Sequence, residues 1–436
     1  MSESAKQAFS VPTVAGPLHF TVEIPGSKSI TNRALLIAAL SQGPVRLHNV
    51  LFSDDSKYFV DCLINLGFQV AIGEAEKIIA VQGQGGEIPK QQASIYVGSA
   101  GTAARFITAM LALSTGEYLV EASAQMMARP MKPLLDALVE QGASFEYLKN
   151  PYFLPFKLRS AGLKGGRVEM SAGQSSQFLS ALLLAGCYSR DDLEIVLDGP
   201  PVAKPYVDMT LKMMKDFGVT ALNDSYQRFT VPHGQIYHGQ EYRIEPDVSN
   251  AGYFLAMAVL TGGEALVKDV KLSSLQGDIQ FVKVLQQLGS TVEEREEGLY
   301  IKGPKDGKFP GIDVDMSLIP DQTMTLAAMA PFAASPVNIR NVSFIKFHES
   351  NRIQAIINEL ARVGIGCRET ETGLIIYPGM PRAAEIETYD DHRMAMAFSL
   401  IGLKTPGVRI KNPGCTGKTF AGYFDCFTKA VHGPGH

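Results

Sequence analysis

An internal repeat constrains the fold of this chain more than any other feature of its sequence. A run rich in Ala, Leu and Met that opens with small polar or charged residues occurs six times, with successive starts about 70 to 74 positions apart. The six starts are Ser29, Gly101, Ser175, Ser249, Asp321 and Asp391. Self-similarity at a fixed period is typical of a structure built from repeated units. Each copy therefore predicts a buried helix with a capped, polar first turn.

A second series runs in step with the first. In each copy an amphipathic segment is followed by a glycine and then by a short strand-like segment. These glycines are Gly67, Gly142, Gly218, Gly289 and Gly364, with a weaker sixth candidate at Gly433. Glycine at the end of a helix adopts the left-handed turn that other residues resist. We therefore predict six copies of one unit, each with two helices and strands between them.

The size of the chain sets the number of domains. With 436 residues, of which 46% are hydrophobic, it can form two domains with well-covered cores. Three repeats per domain is the natural division. The first polar helix start follows Pro25-Gly26, and the fourth is entered through the segment 242–247. We predict one domain of residues 27–245, and a second of residues 1–26 and 246–436 that includes the N-terminal strand.

Charge and composition exclude several classes of protein. The formal net charge of −4 argues against nucleic acid as the main partner. The first residues lack the apolar stretch of a secretory signal, and no apolar run approaches the roughly 20 residues of a membrane span. The five cysteines show neither a CxxC pair nor a metal-ligand spacing, and their odd number indicates reduced thiols. We expect a cytoplasmic monomer that binds neither nucleic acid nor membrane.

The helix starts predict affinity for anions. Unpaired N–H groups and the helix dipole make each start positive. Ser, Thr or Asp at such a position is explained by capping alone. A cation there opposes the dipole, and an anionic ligand would remove the conflict. Such cations are Lys28, Arg33, Arg105 and Arg393. If three starts in each domain point at a shared cleft, that cleft binds anions.

Other charged residues and motifs are less specific. Taken singly, Arg129, Glu349, Arg352 and Lys418 fit solvated surface charges or local ion pairs. The PGSKS segment lacks the GxxxxGK[ST] spacing of a phosphate-binding loop, and no GxGxxG follows a strand. The segment 390–393 matches no set of metal ligands, so a structural His392 is favoured. We predict neither a cofactor nor a metal.

Eight segments, in this order and at these separations, resemble the enolpyruvyl (1-carboxyvinyl) transferases from about residue 10 to residue 430. They are PGSKSITNRALL, AGTAARF, SSQFLSALLLA, KPYVDMTL, IPDQTMT, ESNR, YDDHRMAMAFSL and GCTGKTF. Within that family the chain is most similar to the branch that uses shikimate 3-phosphate. The resemblance implies an α/β fold, a two-domain inside-out α/β barrel with three βαβαββ repeats per domain.

The resemblance also implies a reaction between two anions. The enolpyruvyl group of phosphoenolpyruvate is transferred to the 5-hydroxyl of shikimate 3-phosphate, and phosphate is released by addition and elimination through a tetrahedral intermediate. By resemblance, phosphoenolpyruvate is bound by Lys28, Gly101, Arg129, Gln177, Arg352, Arg393 and Lys418. The acceptor is bound by Lys28, Ser29, Arg33, Ser175, Ser176, Gln177 and Asp321. Paired guanidinium groups suit carboxylate and phosphate because they bind such oxyanions through two hydrogen bonds.

Three residues are candidates for proton transfer. Asp321 matches the family's group that takes the proton of the acceptor hydroxyl, and Glu349 and Lys28 are candidates at the methylene carbon. A carboxylate among many cations should have a lowered pKa, which suits a base better than an acid. We therefore rank Asp321 as base above Glu349 as acid.

The chain departs from the family pattern at five positions. They are Ser99, Phe106, Ala203, Phe344 and His348. The resemblance places Ala203, Phe344 and His348 where the family contacts the acceptor, whereas every expected phosphoenolpyruvate cation is kept. This asymmetry leaves a second interpretation open, a paralogous carboxyvinyl transferase that acts on a different cyclic alcohol.

Two further interpretations are less favoured. An enzyme acting on UDP-N-acetylglucosamine would carry a reactive loop cysteine, and residues 114–131 contain none. A non-catalytic anion-binding protein on the same scaffold would not need Asp321 and Glu349. Turnover of shikimate 3-phosphate separates all of these interpretations.

Overall fold

The structure is a computed structural model that describes residues 8–171 and 173–433. The outer ends of the predicted domains, residues 1–7 and 434–436, lie outside the described residues. The helices are α1 (Lys28–Leu40), α2 (Asp54–Asn65), α3 (Gly101–Leu111), α4 (Ala124–Met127), α5 (Lys132–Glu140), α6 (Ser176–Gly186), α7 (Lys204–Asp216), α8 (Val248–Thr261), α9 (Phe281–Gln287), α10 (Thr323–Met329), α11 (Arg352–Arg362), α12 (His392–Gly402) and α13 (Tyr423–His432).

The strands alternate with these helices along the chain. They are β1 (Phe9–Ser10), β2 (His19–Val22), β3 (Gln42–His48), β4 (Gln69–Gly73), β5 (Ile78–Gln84), β6 (Gln92–Tyr96), β7 (Glu117–Glu121), β8 (Ser144–Tyr147), β9 (Phe156–Arg159), β10 (Gly166–Met170), β11 (Leu193–Leu197), β12 (Leu222–Asp224), β13 (Arg228–Val231), β14 (Glu241–Arg243), β15 (Glu264–Lys268), β16 (Thr291–Arg295), β17 (Gly298–Lys302), β18 (Asp313–Asp315), β19 (Val337–Arg340), β20 (Cys367–Glu369), β21 (Leu374–Ile376), β22 (Glu385–Ile386) and β23 (Arg409–Ile410).

Backbone contacts divide the chain into two compact units. The first unit is residues 26–245, and the second unit is the chain up to Pro25 together with the chain from Pro246. Each unit has a hydrophobic core of its own. The predicted division differs from these units by Gly26 alone, whose Cβ, if present, would lie 2.0 Å from Asn49 O in the first unit. That each unit is an independent domain stays a prediction.

Each unit contains three sheets. In the first unit the strand orders are β14-β3-β5-β4, β6-β7-β9-β8 and β10-β11-β13-β12, and in the second they are β16-β17-β15-β2, β18-β19-β21-β20 and β1-β23-β22. The second repeat shows the connectivity clearly. Strand β6 is parallel to β7 across α3, and after α5 the chain returns as the antiparallel pair β8 and β9. This is the βαβαββ unit that the resemblance implies.

The first strands of the first and fourth repeats are exchanged between the units. Strand β2 precedes α1 in the sequence but pairs in parallel with β15 of the second unit. Strand β14 precedes α8 but pairs in parallel with β3 of the first unit. The Ser27 N–H donates to Glu245 O, and the Asp247 N–H donates to Pro25 O, both at 2.8 Å. The two crossings of the chain therefore complete one repeat in each unit.

The six predicted buried helices are α1, α3, α6, α8, α10 and α12. Every residue of α8, for example, is buried, as expected for a helix that is apolar on all sides. Ser175 and Asp391 cap α6 and α12 as predicted. Two starts lie a little earlier than predicted, because Ser27 rather than Ser29 caps α1 and Asp247 rather than Ser249 caps α8.

The fifth copy departs further. Helix α10 is only seven residues long, and a 3-10 turn at Pro320–Gln322 precedes it. Asp321 lies in this turn, so it does not cap the helix, and its carboxylate is available for other contacts. The prediction that Asp321 opens a capped helix is wrong in this respect.

Five glycines of the second series have the predicted positive φ, whereas the sixth candidate, Gly433, combines a positive φ with a ψ of 172°, which lies outside the left-handed turn. Gly67, Gly142, Gly218, Gly289, Gly364 and Gly433 have φ between 80° and 106°. At Gly289, which follows α9, the glycine N–H donates to Gln286 O and the next N–H donates to Leu285 O. These two hydrogen bonds close the end of the helix. Among the described residues, no helix combines the length and the apolar character that a bilayer crossing requires.

Candidate active site

The starts of three helices lie side by side in the first unit. Asn32 on α1 donates its Nδ2–H to Thr102 Oγ1 on α3 at 2.6 Å. Arg105 on α3 lies over the Phe178 ring on α6, with 5.4 Å from its guanidinium carbon to the ring centroid. All of these residues belong to the first two turns of their helices, so three positive helix ends are brought together. These helix starts of the first unit attract anions even before side-chain charge is considered.

Two guanidinium groups converge on the first residue of α3. A Cβ on Gly101 would lie 2.5 Å from Arg105 Nη1 and 2.7 Å from Arg129 Nη1. Arg105 Nη1 also donates to Gly101 O at 3.0 Å. A side chain at this position would displace the Arg129 guanidinium, which explains why glycine is needed there. Arg105 opposes the dipole of α3, as the sequence predicts, and the structure adds Arg129 at the same helix start.

Arg33 has a more enclosed setting than the other cations of the first unit. Its side chain donates to Thr210 Oγ1 (2.8 Å), Ser29 O (3.0 Å), Tyr206 O (3.1 Å) and Ser180 Oγ (3.4 Å). These acceptors are all neutral, and burial lowers the pKa of Arg33 to about 10. Arg33 is 1% exposed. Direct contact of Arg33 with the acceptor substrate stays a prediction. In the structure its hydrogen bonds join α1, α6 and α7.

The remaining predicted residues of the first unit occupy the starts of α1 and α6. Lys28 is the first residue of α1, and its Nζ lies 3.7 Å from Asp55 Oδ2. Ser29 follows it and is half-buried. On α6, the Ser175 hydroxyl accepts from the Gln177 N–H at 3.3 Å, and Ser176 is buried. Gln177 Oε1 is buried and has no hydrogen-bond partner among the residues that the structure describes. An unpaired buried amide oxygen is a natural place for a donor from a ligand.

The second unit likewise gathers three helix starts. Gln322 donates its Nε2–H to Ser249 O at 3.0 Å, which joins the turn before α10 to α8. Arg393 on α12 donates to Asp321 Oδ2 at 2.7 Å and to the Tyr253 hydroxyl at 3.4 Å. The starts of α8, α10 and α12 are therefore neighbours.

Arg352 is the centre of the charged cluster in the second unit. It is 1% exposed and donates to three carboxylates. Its Nε meets Asp391 Oδ2 (2.8 Å), its Nη2 meets Glu349 Oε2 (2.8 Å) and its Nη1 meets Asp321 Oδ1 (2.9 Å). Burial alone would lower the pKa of Arg352, but the three carboxylates outweigh it and hold the pKa above its usual range. The guanidinium is permanently charged and rigidly placed.

Asp321 is shared between two arginines. Arg352 and Arg393 each donate to one of its carboxylate oxygens. Burial by itself raises the pKa of Asp321, but Arg393 and Arg352 more than compensate and keep it well below the usual value for aspartate. Asp321 is therefore ionised at neutral pH and able to accept a proton. This is the lowered pKa that the sequence predicts.

Glu349 and Lys418 complete the predicted set in the second unit. Lys418 ends a 3-10 turn at Pro413–Lys418, and its Nζ lies 4.0 Å from Glu349 Oε1. Glu349 Oε2 is held by Arg352. The structure thus brings Asp321, Glu349, Arg352, Arg393 and Lys418 into one cluster.

The cations of the second unit are already neutralised by carboxylates of the protein. Arg393 pairs with Asp321, and its backbone N–H donates to Asp391 Oδ1 at 3.0 Å. The sequence argument that an anionic ligand must relieve the conflict between Arg393 and its helix is therefore incomplete. Asp321 and Asp391 relieve it, because their negative charges lie at the same helix start.

Several departures from the family pattern lie against these residues. His348 Nδ1 is 3.1 Å from Arg352 Nη1, and because a guanidinium can only donate, the imidazole nitrogen accepts. The Phe344 ring packs edge-on against His348 at 5.9 Å between centroids. The guanidinium of Arg33 lies over the Phe106 ring at 5.3 Å. Ala203, just before α7, has a left-handed backbone with φ of 52°.

Sequence reasoning missed two acidic residues of these clusters, Asp55 and Asp278, and it predicted Asp391 only as a helix cap. Asp55 faces Lys28, and Asp391 contacts Arg352 as well as capping α12. Asp278 is buried, accepts from the Ser249 hydroxyl at 2.9 Å, and has a pKa raised to about 7 by burial and by the nearby Asp321. The only local signals were the Asp54-Asp55 pair and the Gln-Gly-Asp segment that ends at Asp278. Neither signal reveals a distant partner.

Within residues 8–171 and 173–433, no group of three or more His, Cys, Asp or Glu side chains is arranged to hold a metal ion. The carboxylates of the second unit are instead bound to guanidinium groups.

The fold and the clusters define a class of protein. Five repeats of the βαβαββ type and a sixth whose sheet has three described strands, with basic residues and the ionised Asp321 at the helix starts, are expected of an α/β transferase for anionic metabolites. The EPSP synthase (3-phosphoshikimate 1-carboxyvinyltransferase) family profile matches residues 12–427. The chain belongs to this family.

Individual relatives agree with this assignment. The chain is 46% identical over 417 residues to a 3-phosphoshikimate 1-carboxyvinyltransferase of Nostoc punctiforme, which covers 96% of this chain and 97% of that one. It is 42% identical over 407 residues to the protein of the same description from Vibrio atlanticus, covering 93% and 95%. A solved EPSP synthase of Acinetobacter baumannii shares the fold, with a TM-score of 0.81, 24% identity and 98% of both chains covered.

Proposed function

We propose that this protein transfers the enolpyruvyl group of phosphoenolpyruvate to the 5-hydroxyl of shikimate 3-phosphate and releases inorganic phosphate. The observation that carries the proposal is the ionised carboxylate of Asp321, fixed between Arg352 and Arg393 in the second unit. A base beside permanent cations suits the removal of a hydroxyl proton next to an anionic substrate. The curated relatives with this activity in their names cover almost the whole chain.

The residues assigned to phosphoenolpyruvate are those that the family resemblance implies. We assign its carboxylate and phosphate to Lys28, Gly101, Arg129, Gln177, Arg352, Arg393 and Lys418. Support in the first unit comes from the convergence of Arg105 and Arg129 on Gly101. Support in the second comes from the cluster around Arg352, where a phosphate oxygen would compete with Glu349 for the guanidinium. Each charge-assisted hydrogen bond contributes about 1.5–3 kcal/mol.

Shikimate 3-phosphate is assigned to Lys28, Ser29, Arg33, Ser175, Ser176, Gln177 and Asp321. The starts of α1 and α6 supply N–H groups, hydroxyls and a lysine for its phosphate. The buried, unpaired Gln177 Oε1 suits a hydroxyl of the ring as donor. Asp321 accepts the proton of the 5-hydroxyl.

The chemistry is an addition followed by an elimination. A proton is delivered to the methylene carbon of phosphoenolpyruvate from Glu349 or Lys28, and the acceptor oxygen forms a bond to C2 while Asp321 takes its proton. The product of this step is a tetrahedral ketal phosphate with a methyl group. The C2–O bond then breaks with its electron pair leaving on phosphate, and one methyl proton passes to the now deprotonated Glu349 or Lys28, which restores the double bond. Arg352 and Arg393 stabilise the negative charge on the departing phosphate.

The test is phosphate release with both substrates present. We expect turnover only when phosphoenolpyruvate and shikimate 3-phosphate are both added. Asp321→Asn, which keeps the shape and removes the base, should lower kcat by about 100-fold or more while KM for phosphoenolpyruvate changes little. Arg129→Lys should mainly raise KM for phosphoenolpyruvate, since a lysine cannot form the paired hydrogen bonds of a guanidinium.

A control and a contrary result make the assay decisive. Asp313→Asn removes an exposed carboxylate that pairs with Arg340 on the surface of the second unit, and it should leave both constants unchanged. Phosphoenolpyruvate binding without any turnover of shikimate 3-phosphate would contradict the proposed acceptor. We also propose that the protein is a cytoplasmic monomer, and sedimentation velocity would show a larger species if the monomer is wrong.

A further inference from the structure

The segment 387–391, which leads into α12, is held at both ends by one face of α11. Arg352 and Glu359 lie seven residues apart on that helix, two turns along the same face. Arg352 Nε donates to Asp391 Oδ2 at 2.8 Å, at the end of the segment. Glu359 Oε2 accepts from the Glu387 N–H at 2.9 Å, at its beginning.

Glu359 is fully buried and accepts hydrogen bonds from three residues. Arg362 donates through Nε (2.8 Å) and Nη2 (3.3 Å), the Glu387 backbone donates through its N–H (2.9 Å), and Tyr389 donates through its hydroxyl (2.8 Å). The proposed mechanism makes no use of this carboxylate. A buried charge with so many donors organises the groups around it.

Two consecutive residues between the held ends have a left-handed backbone. Tyr389 has φ of 55° and Asp390 has φ of 52°, and neither is glycine. Such conformations are costly for residues with a Cβ and persist only where the surroundings fix them. The Tyr389 hydroxyl is fixed by Glu359, and Asp390 Oδ1 accepts from Asn412 Nδ2 at 2.5 Å.

Tyr389 and Asp390 directly precede Asp391, which contacts both Arg352 and Arg393. Asp391 follows Asp390, caps α12 through the Arg393 N–H, and accepts from the Arg352 guanidinium. Asn412, on the other side, is the residue before the turn that carries Lys418. The backbone at Tyr389 and Asp390 therefore determines where Asp391 meets Arg352.

We propose that Glu359 and Tyr389 are positioning residues for the binding of phosphoenolpyruvate. Their hydrogen bond holds segment 387–391 in one conformation. In that conformation Asp391 contacts Arg352 and caps α12, and the cap fixes the position of Arg393. Neither residue touches a reacting atom. The inference rests on the proposed function, because it assigns Arg352 and Arg393 to phosphoenolpyruvate.

The variant Tyr389→Phe removes one hydroxyl and keeps the ring. We expect KM for phosphoenolpyruvate to rise about fivefold, the equivalent of one hydrogen bond, while KM for shikimate 3-phosphate stays within about twofold. A purely structural role would lower the melting temperature and the active fraction without this split between the two substrates.

Tyr226→Phe is the matched control. Tyr226 also has a left-handed backbone, with φ of 59°, and its hydroxyl donates to a carboxylate, Asp208 Oδ1, at 2.6 Å. Neither Tyr226 nor its partner Asp208 is among the residues assigned to phosphoenolpyruvate, so loss of the hydroxyl should leave KM for phosphoenolpyruvate unchanged. An equal rise in both variants, or no rise in Tyr389→Phe, overturns the inference.

A milder variant keeps the test open if Tyr389→Phe folds poorly. Asn358 is exposed and donates its Nδ2–H to the Tyr389 hydroxyl at 3.2 Å. Asn358→Ala should raise KM for phosphoenolpyruvate about twofold, in the same direction, and no change would contradict the inference. If the wild-type protein shows no turnover, the proposed function fails separately, and calorimetric binding of phosphoenolpyruvate to wild type and Tyr389→Phe then decides the positioning role.

Discussion

At the scale of single residues, two carboxylates of the second unit have opposite pKa shifts in one neighbourhood. Asp321 is paired with two arginines, which hold its pKa below the usual range. Asp278 is buried beside it, and burial together with the negative charge of Asp321 raises the pKa of Asp278 to about 7. Two acids whose pKa values are shifted in opposite directions differ in protonation near neutral pH. Asp321, the proposed base, is ionised at neutral pH, and Asp278 keeps its proton over much of the range below pH 7.

The raised pKa of Asp278 makes a prediction about stability. In the unfolded chain Asp278 loses its proton near pH 4, whereas in the folded protein it keeps it until about pH 7. Its contribution to the free energy of unfolding is therefore fully present below about pH 4 and is lost as the pH rises through 7. Asp278→Asn should be about as stable as wild type at pH 4.5 and more stable at pH 8, by a few kcal/mol. Melting temperatures at the two pH values measure this.

The lowered pKa of Asp321 does not confound that comparison. Asp321 is ionised in both the folded and the unfolded chain above about pH 5, so its contribution is nearly constant across the upper part of the range. A stability difference between Asp278→Asn and wild type that does not change with pH would show that Asp278 does not titrate near neutrality.

At the scale of secondary-structure elements, the starts of the buried helices carry the candidate residues within each unit, and the second helix of each repeat is followed by glycine. The first residue of α3 illustrates the start, because Gly101 lies within reach of two guanidinium groups. The glycine after α9 illustrates the end, because Gly289 has φ of 93° and closes the helix. Glycine is used for close approach at one position and for backbone conformation at the other.

Gly101→Ala should weaken the binding of phosphoenolpyruvate. The new Cβ would lie 2.7 Å from Arg129 Nη1, so the guanidinium must move. We expect KM for phosphoenolpyruvate to rise on the order of tenfold, the equivalent of one charge-assisted contact, with the melting temperature almost unchanged. Gly422→Ala, at the start of α13 where no atom lies within 4 Å, is the control. Equal KM values for phosphoenolpyruvate in Gly101→Ala and wild type would show that Arg129 does not bind phosphoenolpyruvate.

Two glycine variants separate backbone strain from crowding. Gly289→Ala meets no atom closer than 3.5 Å, so its cost is the left-handed backbone alone, about 1–2 kcal/mol. Gly218→Ala has the same φ of 93°, and its Cβ would also lie 2.5 Å from His238 Cδ2, so it should lose more stability. Denaturant unfolding measures both. Equal losses would mean that His238 moves aside freely, and kcat should be unchanged in either variant.

At the scale of the whole molecule, the sequence reveals the repeat but not its long-range contacts. The 70-residue period and the glycine series predict the helices because helix patterning and turn chemistry are local. The partners of Arg352 are not local, since Asp391 lies 39 residues further along the chain. Glu359 and Asp278 carry no distinguishing motif, because their roles depend on burial and on contacts that only the folded chain provides.

The exchange of β2 and β14 shows the same limit. The sequence predicts that the N-terminal strand joins the fourth to sixth repeats, and β2 does pair with β15. The reciprocal pairing of β14 with β3 was not predicted, because a three-residue strand has no pattern of its own. Parallel pairing between strands so far apart in sequence is set by the packing of the whole unit.

The central claim, enolpyruvyl transfer by addition and elimination, is tested most directly by analysing the products formed in D₂O. The account predicts one enol ether of shikimate 3-phosphate for each phosphate released, with deuterium in its methylene group, because a solvent-derived proton is added to form a methyl group before one is lost. Phosphate released without the enol ether, or an enol ether with no deuterium, would contradict it.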